Sequence, residues 1–271
     1  CVGLRAPPGA SKVCRSPRGD YSQEIRVAQE LVAHAAASDP GALLEAAESC
    51  CGDAGEVLGL AVGARGATLD AVLQAAGGSP RLVVEIGCGI GCAAVRAARW
   101  LGSGGRILAI EADALRAAIA LSLVEWAGLS STIDVCIGRS EQLLPHLRRT
   151  RGGGCIDALL LSSQGAEYQE DLARVESLGL MAPKAMLLAD RVLQPMAPGL
   201  LWRTCTSGAY CASVVPIDDD WLLVARLISG AAATAVAVVD PDWPLHPWPW
   251  PLAPQAILQC RHSADEARRR T

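Results

Sequence analysis

The 271-residue sequence predicts an α/β fold: a doubly wound, mostly parallel sheet of seven strands with helices on both faces. Three observations predict it. Beyond Arg81, short apolar runs alternate with helical stretches, the rhythm of β-α-β units. The runs are continuously apolar, as parallel strands covered on both sides must be. The last two runs flank Pro216 and three consecutive Asp residues, Asp218 to Asp220, which suits a closing antiparallel hairpin.

Residues 1–20 are rich in Pro, Gly, Ser and Arg without any period and read as a flexible lead-in. The domain is expected over residues 21–228. It opens with two amphipathic helices, carried by Ile25, Val27, Ala28, Leu31, Val32, Leu43 and Leu44 and split at Ser38-Asp39-Pro40-Gly41. Strands are then predicted at Leu82–Ile86, Ile107–Glu111, Ile133–Gly138, Ile156–Leu161 and Met186–Ala189, with the hairpin at Ala209–Val215 and Trp221–Leu227. Crossover helices of the kind spaced by Leu115, Ile119, Leu123 and Trp126 join the parallel strands. Residues 229–271 form an Ala-rich, then Pro/Trp-rich, then charged tail. Its Trp243–Pro251 stretch reads either as an extended arm for a protein partner or as an irregular segment packed on the domain.

With 51% hydrophobic and 19% charged residues and a net charge of −4, neither disorder nor a basic surface for nucleic acid is indicated, and a small-molecule ligand is expected. The apolar stretch from Trp221 to Val239 is broken by Arg226 and Gly230, so no membrane association is expected. The 11 Cys include no C-x-x-C pair, which reads as buried thiols in a reducing compartment. A cytoplasmic location follows as the expectation, although the first residue is Cys and a targeting signal would lie upstream.

The chemistry concentrates after the first strand, at Glu85-Ile86-Gly87-Cys88-Gly89-Ile90-Gly91. Glycines there let the backbone turn sharply and approach a ligand. Glu111 ends the second strand, 20 residues after Gly91, where a carboxylate can accept hydrogen bonds from ribose hydroxyls. This unit serves either a nicotinamide dinucleotide or S-adenosylmethionine. The dinucleotide pattern is G-x-G-x-x-G, whereas the G-x-G-x-G here, with an acid two residues before it, favours S-adenosylmethionine.

From about Tyr21 to Leu227 the chain resembles the catechol O-methyltransferase family. The likeness rests on Gly66-Ala67-Thr68-Leu69-Asp70, Ala93-Ala94-Val95-Arg96-Ala97-Ala98-Arg99, Trp126-Ala127-Gly128, Gly138-Arg139-Ser140-Glu141, Leu187-Leu188-Ala189-Asp190 and Pro195-x-Ala197-Pro198, in that order. It implies a Rossmann-like, S-adenosylmethionine-dependent fold, with Glu85, Gly87 and Glu111 around the methionyl and ribose parts and Ala112, Ser140 and Glu141 around the adenine; Gly89 and Gly91 of the glycine turn are further cofactor-binding candidates. Two positions depart from the pattern. Ala93 stands where the family holds the cofactor carboxylate with a hydroxyl, and Gly89 stands where it has an aromatic residue.

The resemblance further implies Mg2+ held by two Asp and one Asn, with a Lys as general base. Asp190 is the one metal-ligand position retained. Ser162 replaces the first Asp, Arg191 the Asn and Gly165 the Lys, and Arg cannot ligate a hard cation, so ordinary Mg2+ catalysis is not expected. Asp190 and Arg191 are the candidate catalytic pair. In one reading the Arg191 guanidinium takes the cation's place, pairs with Asp190 and binds the acceptor oxygen. In the other, the two are an ion pair in a degraded site. The sequence therefore supports an O-methyltransferase acting on a catechol-like or other small hydroxylated acceptor. The alternative is a catalytically inactive relative that binds the cofactor or a protein partner.

Overall fold

The computed structural model describes residues 20–228, apart from 78, 164, 194–196 and 218–219. The lead-in, apart from its last residue, and the tail of residues 229–271 lie outside the described residues.

Four helices precede the sheet: α1 (Ser22–His34), α2 (Pro40–Ser49), α3 (Cys51–Leu58) and, after a 3-10 turn at Gly59–Ala61, α4 (Gly63–Ala75). The first two are those foreseen. Asp39 caps α2 by accepting the Ala42 N–H at 3.0 Å, and Pro40 occupies the first turn, where its missing N–H costs nothing. The Gly-rich α3 and α4 carried no period strong enough to predict.

There follow β1 (Leu82–Ile86), α5 (Cys92–Ala98), β2 (Arg106–Glu111), α6 (Ala114–Trp126), β3 (Ile133–Ile137), α7 (Ser140–Arg151), β4 (Ile156–Leu161) and α8 (Gly165–Ser177). The chain then runs through β5 (Met181–Ala189), α9 (Pro198–Thr206), β6 (Tyr210–Ile217) and β7 (Asp220–Leu227). The sheet order is β3-β2-β1-β4-β5-β7-β6, with β7 antiparallel to both neighbours. Seven strands, parallel but for the closing hairpin, are as predicted.

Two boundaries differ by more than one residue. β5 begins five residues early, at Met181, because an irregularity opposite Ile156 and Ala158 and a left-handed Lys184 let the chain re-enter the ladder after Pro183. β6 continues through Pro216, which pairs with Trp221. As the outermost strand it has an open side, where a residue without an N–H is tolerated.

Alternation along the strands divides the core. Val83, Ile107, Leu160 and Leu188 face α1, α2 and α4–α6, whereas Val84, Leu108, Leu161 and Leu187 face α7–α9. Glu85 falls on the first face and is 1% exposed.

Behind that face lies an ion cluster around the buried Arg96. Arg96 on α5 donates Nη2 to Asp70 at 2.7 Å, and Nη1 to Glu48 at 2.7 Å and to the Ala61 carbonyl at 2.6 Å. Trp100 Nε1 donates to the other Asp70 oxygen at 2.7 Å. A Cβ at Gly66 would stand 2.5 Å from Arg96 Nη1, so the cluster fixes how closely α4 lies on α5. Removing one partner from such a network strands the others. With its acidic partners in part open to water, Arg96→Ala is expected to cost about 1–3 kcal/mol in chemical denaturation, whereas substituting the exposed Arg149 should cost less than about 0.5 kcal/mol.

Candidate functional site

Parallel pairing sets Ile86 beside Ile110 and Leu161, and Leu161 beside Ala189. The carboxyl ends of β2, β1, β4 and β5 therefore lie in a row, at the point where strand order reverses between β1 and β4, the usual ligand position of such sheets. A cleft of about 730 Å³ opens there.

Its floor is Glu85. Burial pushes this carboxyl up to about 8, with Ser162 acting against the shift and the charge of Glu111 adding to it. Glu85 Oε2, Ser162 Oγ and Ser163 Oγ are all buried without a hydrogen-bond partner. Buried polar atoms are rarely left so, and three together at the bottom of a cleft mark a place where a ligand completes the bonding. Gly87 makes this floor possible. Its φ is +84°, and a Cβ there would lie 2.5 Å from the Ser163 backbone, so only glycine lets the β4–α8 connection close against the turn.

On the β2 side, Glu111 accepts the Gly89 N–H on Oε2 and the Asp113 N–H on Oε1, both at 2.8 Å. Burial raises its pKa, and these two N–H groups oppose the rise. The carboxylate is thus held rigidly, each oxygen keeping acceptor capacity for a ligand hydroxyl. Ala112 and Glu141 are exposed along the same wall. Ser140 is buried and bonded to Asp171, with Arg174 Nη1 donating to it at 2.9 Å, so its hydroxyl braces α7 against α8. Across the opening, the Tyr21 hydroxyl donates to Asp113 at 2.6 Å and Arg116 Nε donates to Glu24 at 2.9 Å, tying α1 to α6.

Gly91 stands apart. It caps α5 and is not among the residues that line the cleft, and a Cβ there would meet Ala120 at 3.1 Å, so what it serves in this fold is helix packing.

At the far end, Asp190 follows β5, its N–H bonded to the Leu161 carbonyl at 2.9 Å. Burial raises its pKa, countered by Arg65 and Arg191. Arg65, from the first turn of α4, donates Nε to Oδ1 at 3.1 Å. Arg191 Nε lies 3.8 Å from Oδ2, while its Nη2 donates to the Glu56 carbonyl at 3.0 Å. The pairing expected of Arg191 is thus made more closely by Arg65, which sequence reasoning missed: 125 positions separate it from Asp190, and its one signal was adjacency to Gly66-Ala67-Thr68. A single carboxylate facing two guanidinium groups, with Ser162 for its former partner, does not fit Mg2+, which wants several oxygen ligands. Among the described residues no cluster of three or more His, Cys, Asp or Glu could hold a metal ion.

Comparison with known proteins agrees with this architecture. The O-methyltransferase family profile matches residues 60–195, from the 3-10 turn to just beyond Arg191. Catechol O-methyltransferase of Mus musculus is 33% identical over 181 residues, covering 66% of this chain and 67% of that protein. The chain belongs to the O-methyltransferase family. It is likewise 31% identical over 191 residues to a transmembrane O-methyltransferase homolog of Rattus norvegicus, covering 69% of this chain and 72% of the relative. Among the described residues, no helix is long and apolar enough to cross a membrane. An O-methyltransferase from Bacillus cereus, solved in complex with SAH, superposes with a TM-score of 0.54 at 18% identity, over 78% of this chain and 92% of that one, a likeness of fold.

The Glu85 carboxyl has a measurable signature. Its ordinary value is 4.5 and its folded value about 8, so between these the folded chain retains a proton that the unfolded chain releases. Stability of the ligand-free chain should therefore fall as pH rises through that window, by on the order of 5 kcal/mol in all. Glu85→Gln, which cannot titrate, should flatten the decline in denaturation midpoints measured across it.

Proposed function

We propose that this family member is an S-adenosylmethionine-dependent O-methyltransferase that methylates a hydroxyl of a catechol-like or other small acceptor without using Mg2+. The observation that carries the reading is the row of unequal polar groups along the strand ends. At the β1–β4 centre, Glu85 Oε2, Ser162 Oγ and Ser163 Oγ lack a partner that an ammonium group would supply. On β2, the anchored Glu111 suits a ribose diol. Ala112, Ser140 and Glu141 would flank the adenine. Ala93, lacking a hydroxyl, adds no bond to the cofactor's carboxylate.

The cofactor supplies an electrophilic methyl on a sulfonium. The chain's part is positioning, since in-line displacement depends chiefly on holding the acceptor oxygen against that carbon. Arg191, about a third exposed and lining the cleft, offers N–H groups to the acceptor oxygen, and Asp190 helps orient it. The fixed positive charge of Arg65 and Arg191 eases loss of the hydroxyl proton to solvent. Fixed guanidinium charge replaces what a metal does elsewhere, at some cost in rate.

A second reading has its own support. Ser162, Gly165 and Arg191 remove two ligands and the base together, which favours a chain that binds the cofactor without turnover. A partner for the Trp/Pro-rich tail belongs to that reading.

Calorimetric titration with S-adenosylmethionine should show binding in the micromolar range, indifferent to Mg2+, and weakened about 10- to 100-fold by Glu111→Ala. Absence of binding would sink the first reading and leave of the second only its protein-partner form. Transfer of labelled methyl groups to a panel of catechols and phenols, unaffected by chelator, separates the first from the second. Arg191→Ala should then lower turnover about 10- to 100-fold while leaving cofactor affinity within about twofold; unchanged turnover would remove Arg191 from the mechanism.

A further inference from the structure

We infer that Arg65 stands in the place of the divalent cation: its guanidinium neutralises Asp190 and closes that carboxylate to metal ions, making Arg65 a positioning residue of the acceptor end. The inference rests on the reading of this end of the cleft as the acceptor's. It names a residue that neither the motif pattern nor the cleft lining points to, since Arg65 comes from beneath, out of α4.

The geometry carries it. Asp190 is 5% exposed, with Arg65 bonded to one oxygen and Arg191 near the other. Arg65 Nε sits on Oδ1 at 3.1 Å. On the other side Arg191 Nε lies 3.8 Å from Oδ2. A hexacoordinate ion with its waters needs several oxygens around an open centre, and here one carboxylate is enclosed by two cations that cannot be deprotonated.

Arg65 is also held in place independently of Asp190. The next residue, Gly66, lies so close to Arg96 that a Cβ would stand 2.5 Å from its Nη1, and Arg96 is anchored by Asp70, Glu48 and the Ala61 carbonyl. The ion cluster of α5 thereby sets the height of the first turn of α4, which delivers the guanidinium to the end of β5. Arg191, by contrast, is drawn toward α3 by the Glu56 carbonyl and adopts a left-handed φ of +51°. Such backbone in a non-glycine residue is held by its surroundings. Of the two guanidinium groups, Arg65 is the one in hydrogen-bond contact with the carboxylate.

The test restores the ligand set with and without Arg65. Two full-length variants are compared, Ser162→Asp/Arg191→Asn, and the same pair with Arg65→Ala, and Mn2+ binding is read by electron paramagnetic resonance. The triple variant should bind Mn2+ about tenfold or more tightly than the double variant. A smaller difference, including equal binding by both or by neither, overturns the inference. Should the triple variant fail to fold by circular dichroism, Arg65→Gln takes the place of Arg65→Ala, and the same difference is required. Methyl transfer plays no part in the measurement, so a chain without transferase activity leaves the result readable.

Discussion

Parallel pairing of β1 with β2 and β4, and of β4 with β5, is the constraint on which the site depends. It aligns Ile110, Ile86, Leu161 and Ala189 across four strands, so the residues just past them share one edge of the sheet. Glu111, Glu85, Ser162 and Asp190 are distant in sequence, yet each occupies an end of a strand whose other residues are fixed by core packing. A one-residue slip in any strand would turn its side chains to the opposite face and dissolve the row.

Along that row three buried carboxyls meet different surroundings. Glu111 is bound by two backbone N–H groups and Asp190 by guanidinium charge, whereas what acts against the rise at Glu85 is the neutral Ser162 hydroxyl. Burial raises all three, and the partners decide how far. A buried carboxyl with no charged partner prefers its proton, which is why Glu85 stands out. The molecule tolerates this cost where a ligand's charge can offset it, while Asp190, with two cations beside it, has its compensation built in. The two ends of the cleft are therefore electrostatically unlike: one waits for a positive group, the other already holds two.

Support for the row comes from behind. The Arg96 cluster joins α4 to α5, and α4 in turn reaches the end of β5 through Arg65. Substitution in this cluster would be felt at the acceptor end without touching any residue that lines it. The ties from Tyr21 to Asp113 and from Arg116 to Glu24 do the same for the β2 side, binding α1 across the mouth.

Continuous apolar runs made β1 and β4 legible to the residue, because a strand buried on both faces can hold little else. The glycine turn with Glu85 and Glu111 was legible because its backbone and its acids are local in sequence. The losses at Ser162, Gly165 and Arg191 could be read against the resembled pattern for the same reason. Where β5 begins and where β6 ends depended on an irregular register and on which strand lies outermost, both properties of the assembled sheet. That Gly91 packs on Ala120, that Ser140 braces Asp171 and Arg174, and that Arg65 rather than Arg191 is bonded to Asp190 are likewise contacts between elements far apart in the chain. Periodicity and motif spacing report what a residue's near neighbours require. The partner of a buried charge is chosen by the packing of whole helices on the sheet, and no local pattern encodes it.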